Sequence, residues 1–231
     1  MDGGEAVTPA DPTDLFLPQR HEWMSRAMFS SWPVAPTTGD RGPVKDAVAD
    51  IVDAAGGLEY SRIQLHRAIA IAQAEFDAAR RDFPALEEAS SWGGANTPAV
   101  YYEFYNAVAW TRAVKDRYGE VLRDAVKHDP ALWTTLQKIR SGANREFEDA
   151  RLLAKCSLHR FTPPYAVAPP RIGKDGSLVW RVPEIVDADE FRANLRTMSD
   201  SRHVVSIVEG FWLAVSRFVE AILDVFYPRS P

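Results

Sequence analysis

The segment from Thr97 to His128 constrains this chain most, because it reads as one long helix with a boundary at each end. A threonine oxygen can accept hydrogen bonds from the free amides of a first turn, and Pro98 suits the first helical position. Pro130 disfavours helical geometry in the residue before it. Apolar residues surround most of this helix, so we expect it to lie centrally in a helical bundle. They are Tyr101, Phe104, Tyr105, Val108, Tyr118, Leu122 and Val126 on one broad side, with Trp110, Val114 and Val121 beside them.

Further helices are predicted wherever apolar residues recur three and four positions apart. The segments 58–83 and 203–227 show this spacing over their whole length. We interpret Gly56-Gly57 as a break that separates the first of them from a short helix at 43–55. Shorter helices are predicted at 21–29, from 130 to the break at 141–142, at 143–159 and at 187–198.

The pattern changes near residues 165–183, where prolines are frequent and apolar residues alternate with others. Lys174-Asp175-Gly176 is a turn sequence, and a period of two is typical of a strand. We therefore predict an all-α multi-helix bundle with a small β-hairpin or extended arm near 165–183 that covers one end of the bundle. The alternating residues are Leu178, Trp180 and Val182 on one side, and Val179 and Arg181 on the other.

The 231 residues divide into a proline-rich N-terminal segment, 1–43, and a single helical-bundle domain, 44–231. Proline at this density prevents regular structure over most of the N-terminal segment, so we expect it to be partly disordered, above all in residues 1–14. We nevertheless expect the apolar residues around 21–29 to lie against the main body. The composition, rich in Ala, Arg, Asp and Val, is typical of a bacterial protein.

A cytoplasmic location is predicted from three features of the sequence. Cys156 is the sole cysteine, which excludes an intrachain disulfide and fits a reducing compartment. The acidic N-terminus lacks the basic and apolar regions of a signal peptide. No apolar run is long enough to span a bilayer, so no membrane association is expected. The net charge of −5 argues against a broad nucleic-acid-binding face.

The sequence predicts no metal and no cofactor. No two histidines have ligand spacing on one helix, and the zinc and phosphate-loop motifs are absent. Cys156 lies near Lys155 and His159, an environment that can activate a nucleophilic thiol. The alternative is that Cys156 is a small buried apolar residue.

Arg123 and His128, in RDAVKH, carry the strongest catalytic hint. Their spacing resembles the R-x4-6-H motif of the HEPN superfamily, whose members are helical bundles. In HEPN ribonucleases the arginine and histidine act at a dimer interface to cleave RNA without a metal. The resemblance implies that Arg123 binds phosphate, that His128 acts as an acid or base, and that Asp124 is the polar residue which follows the arginine. The alternative is that both cations lie at a helix C-terminus, which the helix dipole favours.

Two further pairs combine an arginine with a histidine. Arg151 and His159 lie roughly on one side of a predicted helix and form a backup site lining a groove, unless they mark a solvated helix end. Arg196 and His203 also fit the HEPN-like spacing, although a polar link between two helices explains them as well.

We expect a cytoplasmic helical-bundle interaction protein without evident catalysis, which binds a protein partner or forms a homo-oligomer. The alternative is a HEPN-like metal-independent ribonuclease, a toxin or defence component, with RNA as its partner. These alternatives leave open whether the chain is an enzyme. A third alternative is a small-molecule-binding bundle, whose pocket or base-stacking surface would involve Tyr101, Tyr102, Phe104 and Tyr105.

Overall fold

A computed structural model describes residues 17–29, 42–126, 129–159, 170–180, 182 and 203–228. These residues form an all-α bundle of six helices with one small antiparallel hairpin, as the sequence predicts. The helices are α1 (Pro18–Phe29), α2 (Gly42–Asp82), α3 (Thr97–Val126), α4 (Pro130–Gly142), α5 (Asn144–His159) and α6 (Val204–Phe226), with a 3-10 helix at Pro84–Glu88 and strands β1 (Arg171–Ile172) and β2 (Leu178–Val179). The predictions for residues 1–14 and 187–198 fall outside the described residues.

Helices α2 and α3 pack against each other as a long antiparallel pair, and the other helices lie against this pair. Arg117 faces Asp50 near one end of the pair, and Asn96 contacts Glu75 near the other. Helix α6 packs along a continuous apolar stripe, as its spacing predicts. Its buried residues are Val204, Ile207, Val208, Phe211, Val215, Phe218, Val219, Ile222, Leu223 and Phe226. None of the helices within the described ranges is both long enough and apolar enough to cross a membrane.

Helix α2 is continuous, so the predicted break at Gly56-Gly57 is wrong. A β-carbon on Gly56 would overlap the side chain of Arg20, and one on Gly57 would overlap the indole of Trp110. The two glycines therefore allow α1 and α3 to approach the backbone of α2. Each glycine costs about 1 kcal/mol of helix propensity relative to alanine, which tertiary packing can readily outweigh.

The start of α3 is held by α2 rather than by its own threonine. Glu75 accepts hydrogen bonds from the amides of Ala95 and Asn96, at 3.0 and 3.3 Å. Thr97 Oγ1 accepts from the amide of Gly94 at 3.0 Å, and so fixes the preceding loop instead of the first turn that the sequence predicts. These bonds lock the connection between the two longest helices.

The hairpin covers the end of the bundle where α2 ends and α3 begins. Gln73 on α2 donates to the carbonyl of Gly176 at 3.2 Å and accepts from the amide of Leu178 at 2.8 Å. Leu178, Trp180 and Val182 are buried and Val179 is half-buried, in agreement with the predicted alternation, while Arg181 lies outside the described residues.

Helix α1 lies against α2 and α6, as expected for the apolar residues near 21–29. Glu59 on α2 accepts hydrogen bonds from the amides of Gln19 and Arg20 at 3.3 and 3.0 Å. It thereby satisfies amides in the first turn of α1, which an N-cap side chain usually does. The fully buried Trp23 donates from Nε1 to Glu220 on α6 at 2.6 Å. Helix α1 is therefore part of the folded body.

Candidate functional site

An open groove lies between α4, the start of α5 and α6, with a volume of about 370 Å³. This volume falls within the range of ligand-binding clefts. Its walls come from Lys138, Ile139 and Gly142 on α4, Ala143 and Glu146 at the start of α5, and Gly210, Leu213, Ala214, Arg217, Phe218 and Ala221 on α6.

The groove exists because α6 presents small side chains on the face that it turns toward α4. Gly210, Ala214 and Ala221 are four and seven positions apart, so they share one side of the helix. Gly142 and Ala143 form the corner where α4 passes directly into α5. Small residues on both sides leave a channel where larger ones would fill the space between the helices.

The wall formed by α4 is fixed at two points. Asp129 caps its first turn and accepts from the amides of Ala131 and Leu132 at 2.9 and 3.2 Å. The hydroxyl of Tyr118 on α3 donates to the carbonyl of Leu136, whose side chain is fully buried. The groove is therefore preformed between anchored helices.

The floor of the groove is apolar and incompletely covered. Phe218 is buried and meets the rings of Tyr118 and Phe147 at centroid distances of 4.8 and 5.1 Å. Leu213 on α6 remains 51% exposed, although it lies on the most apolar helix. An apolar side chain left open in a groove gains from being covered by a partner.

Two cations border the groove, Lys138 from α4 and Arg217 from α6, and both are exposed. Neither side chain forms an ion pair or hydrogen bond with any residue in the described ranges. Glu146 is the one carboxylate in the lining, and it lies in the first turn of α5, where the helix dipole favours a negative charge. Among the described residues, the groove lining therefore carries two cations against one carboxylate.

A second polar cluster lies where α2 meets α6. Arg62 Nε lies 2.8 and 2.9 Å from the two carboxylate oxygens of Glu209, and His66 Nε2 donates to Oε1 at 2.7 Å. The guanidinium of Arg62 also lies over the ring of Trp212, 5.7 Å from its centroid. Burial raises the pKa of Glu209, but the hydrogen bonds from His66 and Arg62 outweigh it and leave the pKa below its ordinary value. The Arg62–Glu209 ion pair joins α6 to α2.

The HEPN-like residues are only partly described. Arg123 is 68% exposed at the end of α3, and its Nε lies 3.6 Å from Oδ1 of Asp124, whose side chain is 15% exposed. His128 lies outside the described residues, so the arrangement of Arg123 and His128 stays a prediction. Of the second pair with this spacing, His203 directly precedes α6, and Arg196 lies outside the described residues.

Arg151, from the backup pair, belongs to an ion-pair network between α3 and α5. Its Nε lies 2.6 Å from Glu148, which also accepts from Lys115 at 2.5 Å. The hydrogen bonds from Lys115 and then from Arg151 lower the pKa of Glu148. The network gives Arg151 a structural partner, while the side chains of His159 and Cys156 lie outside what the structure describes.

The aromatic residues at the start of α3 divide between core and surface. Tyr101 and Phe104 are buried, whereas Tyr102 is 47% exposed. Within the described parts of the chain, no three His, Cys, Asp or Glu side chains come together in a way that could hold a metal ion.

Sequence reasoning missed the groove, although a signal for it is present. Gly210, Ala214 and Ala221 interrupt the valines and phenylalanines of α6 at helical spacing. That pattern indicates a face that admits a close neighbour, but it does not reveal whether the neighbour belongs to the same chain.

A comparison of the chain with known protein families, with curated proteins and with solved structures finds no match. The resemblance to the HEPN superfamily therefore stays a prediction, and function is argued from the site itself.

Proposed function

We propose that this chain is a non-catalytic interaction protein that binds a helical segment of a protein partner in the groove between α4 and α6. The observation that carries the proposal is the open channel lined by Gly210, Ala214 and Ala221 beside the half-exposed Leu213. Binding of an amphipathic helix in an apolar groove is a common mode of peptide recognition.

The length of the groove suits a short helix. Gly210 and Ala221 are eleven positions apart, which corresponds to about 17 Å, or three turns, along α6. Helices pack with their axes about 8–10 Å apart, and small side chains at the contact favour the shorter distances. A partner helix of about three turns would therefore cover Leu213 and fill the channel.

Site-specific photocrosslinking tests the proposal. A photoreactive phenylalanine replaces Leu213 in the groove or, as a control, the exposed Ala74 on α2. We expect a defined adduct from position 213 that position 74 does not form, with the crosslink mapping to a helical segment of the partner. An adduct between two copies of the chain would identify a homo-oligomer instead.

A substitution that fills the groove provides the second half of this test. Ala214→Trp should abolish the adduct from position 213, whereas Ala74→Trp on α2 should leave it unchanged. Far-ultraviolet circular dichroism checks that both variants retain their helices. An adduct that survives Ala214→Trp, or the absence of any adduct from position 213, would overturn the proposed function.

A metal-independent ribonuclease is the second proposal. What supports it is the RDAVKH motif together with the exposure of Arg123, whose guanidinium is accessible to a phosphate. The test is RNA cleavage in EDTA by the purified chain, with Arg123→Ala and His128→Ala beside it. Arg112→Ala is the matched control, because Arg112 is an arginine on the same helix with a partly exposed side chain. Cleavage that is absent in the parent protein, or equal in all three variants, would exclude this function.

A further inference from the structure

The groove has a charge that restricts which helix it can accept. Lys138 and Arg217 border it from different helices, and neither is neutralised by the residues that the structure describes. At two other helix contacts the cations are matched: Lys115 on α3 pairs with Glu148 on α5, and Arg62 on α2 pairs with Glu209 on α6. As far as the described residues go, the groove cations are therefore available to a further carboxylate.

The positive charge of the groove is opposite in sign to the net charge of the whole chain. The chain as a whole has a net charge of −5, which on average disfavours the approach of an acidic partner. A local positive groove on a negative protein directs such a partner to one place and one orientation. Glu146 adds a negative charge to the lining, but its place in the first turn of α5 is favoured by the helix dipole.

We propose that the groove selects an acidic amphipathic helix, a proposal that rests on the proposed function. Its apolar face covers Leu213 and packs on Gly210 and Ala214, while carboxylates on its flanks pair with Lys138 and Arg217. The apolar face of the partner then covers an exposed apolar side chain, and its carboxylates meet cations that have no ion-pair partner among the described residues.

Three synthetic helical peptides of about three turns test the selection. They share one alanine- and leucine-based apolar face and carry glutamate, glutamine or lysine on the flanks. Binding to the full chain is measured by fluorescence anisotropy at low and at high salt. Partly exposed ion pairs contribute modestly, so we expect the glutamate peptide to bind about fivefold to tenfold more tightly than the glutamine peptide at low salt. The lysine peptide should bind most weakly.

Charge variants place the preference in the groove. Lys138→Gln combined with Arg217→Gln should remove the advantage of the glutamate peptide over the glutamine peptide. Arg67→Gln combined with Lys174→Gln removes the same charge at exposed positions outside the groove lining and should preserve the advantage. Equal loss in both double variants would show a general electrostatic effect and overturn the inference.

The remaining outcomes separate this inference from the proposed function. If all three peptides bind equally and Ala214→Trp abolishes binding, the acidic preference is wrong and the groove is still a docking site. If the glutamate peptide fails to bind, the inference is overturned, and the crosslink from position 213 decides the proposed function independently. If peptides bind but Ala214→Trp has no effect, they bind elsewhere and both proposals fail for this groove.

A thiol probe establishes whether the groove is open in solution. Leu213→Cys in a Cys156→Ser background should react with a maleimide as fast as Ala74→Cys in the same background. Much slower reaction at position 213 in the monomer would mean that the chain itself covers the groove, and both proposals would be overturned.

Discussion

The indole of Trp110 on α3 lies against the backbone of Gly57 on α2, with no space between them for a β-carbon. Trp110 is nevertheless 41% exposed, so the ring covers the glycine from the outside. Gly56 has the same relation to Arg20 of α1. Gly56 therefore lets the Arg20 side chain of α1 approach the backbone of α2, and Gly57 lets the Trp110 side chain of α3 do the same.

We expect Gly57→Ala to destabilise the protein, although alanine is the better helix former. The new methyl group displaces the Trp110 ring, and overpacking costs about 1–3 kcal/mol against a gain in helix propensity of about 1 kcal/mol. The expected net loss in the free energy of unfolding is about 1 kcal/mol, measured by urea denaturation.

Gly119→Ala is the matched control, because a β-carbon at Gly119 in α3 meets nothing within 4 Å. This variant should be stabilised by up to about 1 kcal/mol through helix propensity alone. Equal stabilisation of the two alanine variants would show that Trp110 moves away at no cost, and the packing explanation for Gly57 would fail.

The ion-pair cluster at Glu209 predicts a pH dependence. Hydrogen bonds from His66 and Arg62 lower the pKa of Glu209 despite the opposing effect of burial. A carboxylate whose pKa is lower in the folded state stabilises the fold above its ordinary pKa, and the contribution disappears as the pH falls through the folded value. Glu209→Gln should therefore be less stable than the parent above about pH 5, with the difference shrinking toward pH 3.

Thermal unfolding of both proteins across this pH range measures the difference. Glu120→Gln is the control, since the side chain of Glu120 is 44% exposed and lies 3.7 Å from Arg117 on the same helix. It should change the melting temperature little at any pH. A Glu209→Gln difference that grows as the pH falls from about 5 to about 3 would contradict the assignment.

Glu75 should be a strong stabilising residue at the α2–α3 connection. Burial raises the pKa of its carboxylate, but hydrogen bonds from the amides of Ala95 and Asn96 and from the Asn96 side chain outweigh burial and lower the pKa. Glu75→Gln should cost about 1–2 kcal/mol of unfolding free energy, because hydrogen bonds to charged groups are among the stronger ones.

Glu103→Gln is the comparison variant for the same measurement of unfolding free energy. Burial raises the pKa of Glu103, although a hydrogen bond from Asn106 opposes this, so its charge disfavours folding. Removing that charge should leave stability near neutral pH unchanged or slightly higher. A larger loss for Glu103→Gln than for Glu75→Gln would reverse the expected order.

Gly176 should be required for docking of the hairpin. Its φ of +81° lies in the left-handed region, and a β-carbon there would press on the guanidinium of Arg80. Gly176→Ala should cost about 1 kcal/mol or more and speed hydrogen exchange at the amide of Leu178, which is bonded to Gln73. Gly93→Ala, in an open loop position, should leave that exchange rate unchanged.

Most of the helical architecture was predictable because its signals are local. Asp129 caps α4 and Pro130 begins it, as the dipeptide indicates. The alternation at Leu178, Trp180 and Val182 and the turn at Gly176 identify the hairpin from neighbouring residues alone.

The candidate site was much less predictable. The sequence directs attention to Arg123, Asp124 and His128, and to Arg151 and His159, because arginine–histidine pairs suggest chemistry. The groove instead depends on small residues of α6 meeting the α4–α5 corner, and on Lys138 and Arg217 having no ion-pair partner among the described residues. Neither condition can be read from spacing along one helix.

The sequence by itself determined the helical class, most helix boundaries and the hairpin, because periodicity, prolines and capping residues act over a few positions. The tertiary structure alone decided that α2 runs through Gly56-Gly57, since the reason lies in Arg20 and Trp110 on other helices. It also decided which apolar residues remain exposed and where the groove opens. Those features depend on contacts between segments distant along the chain, which local patterns do not encode.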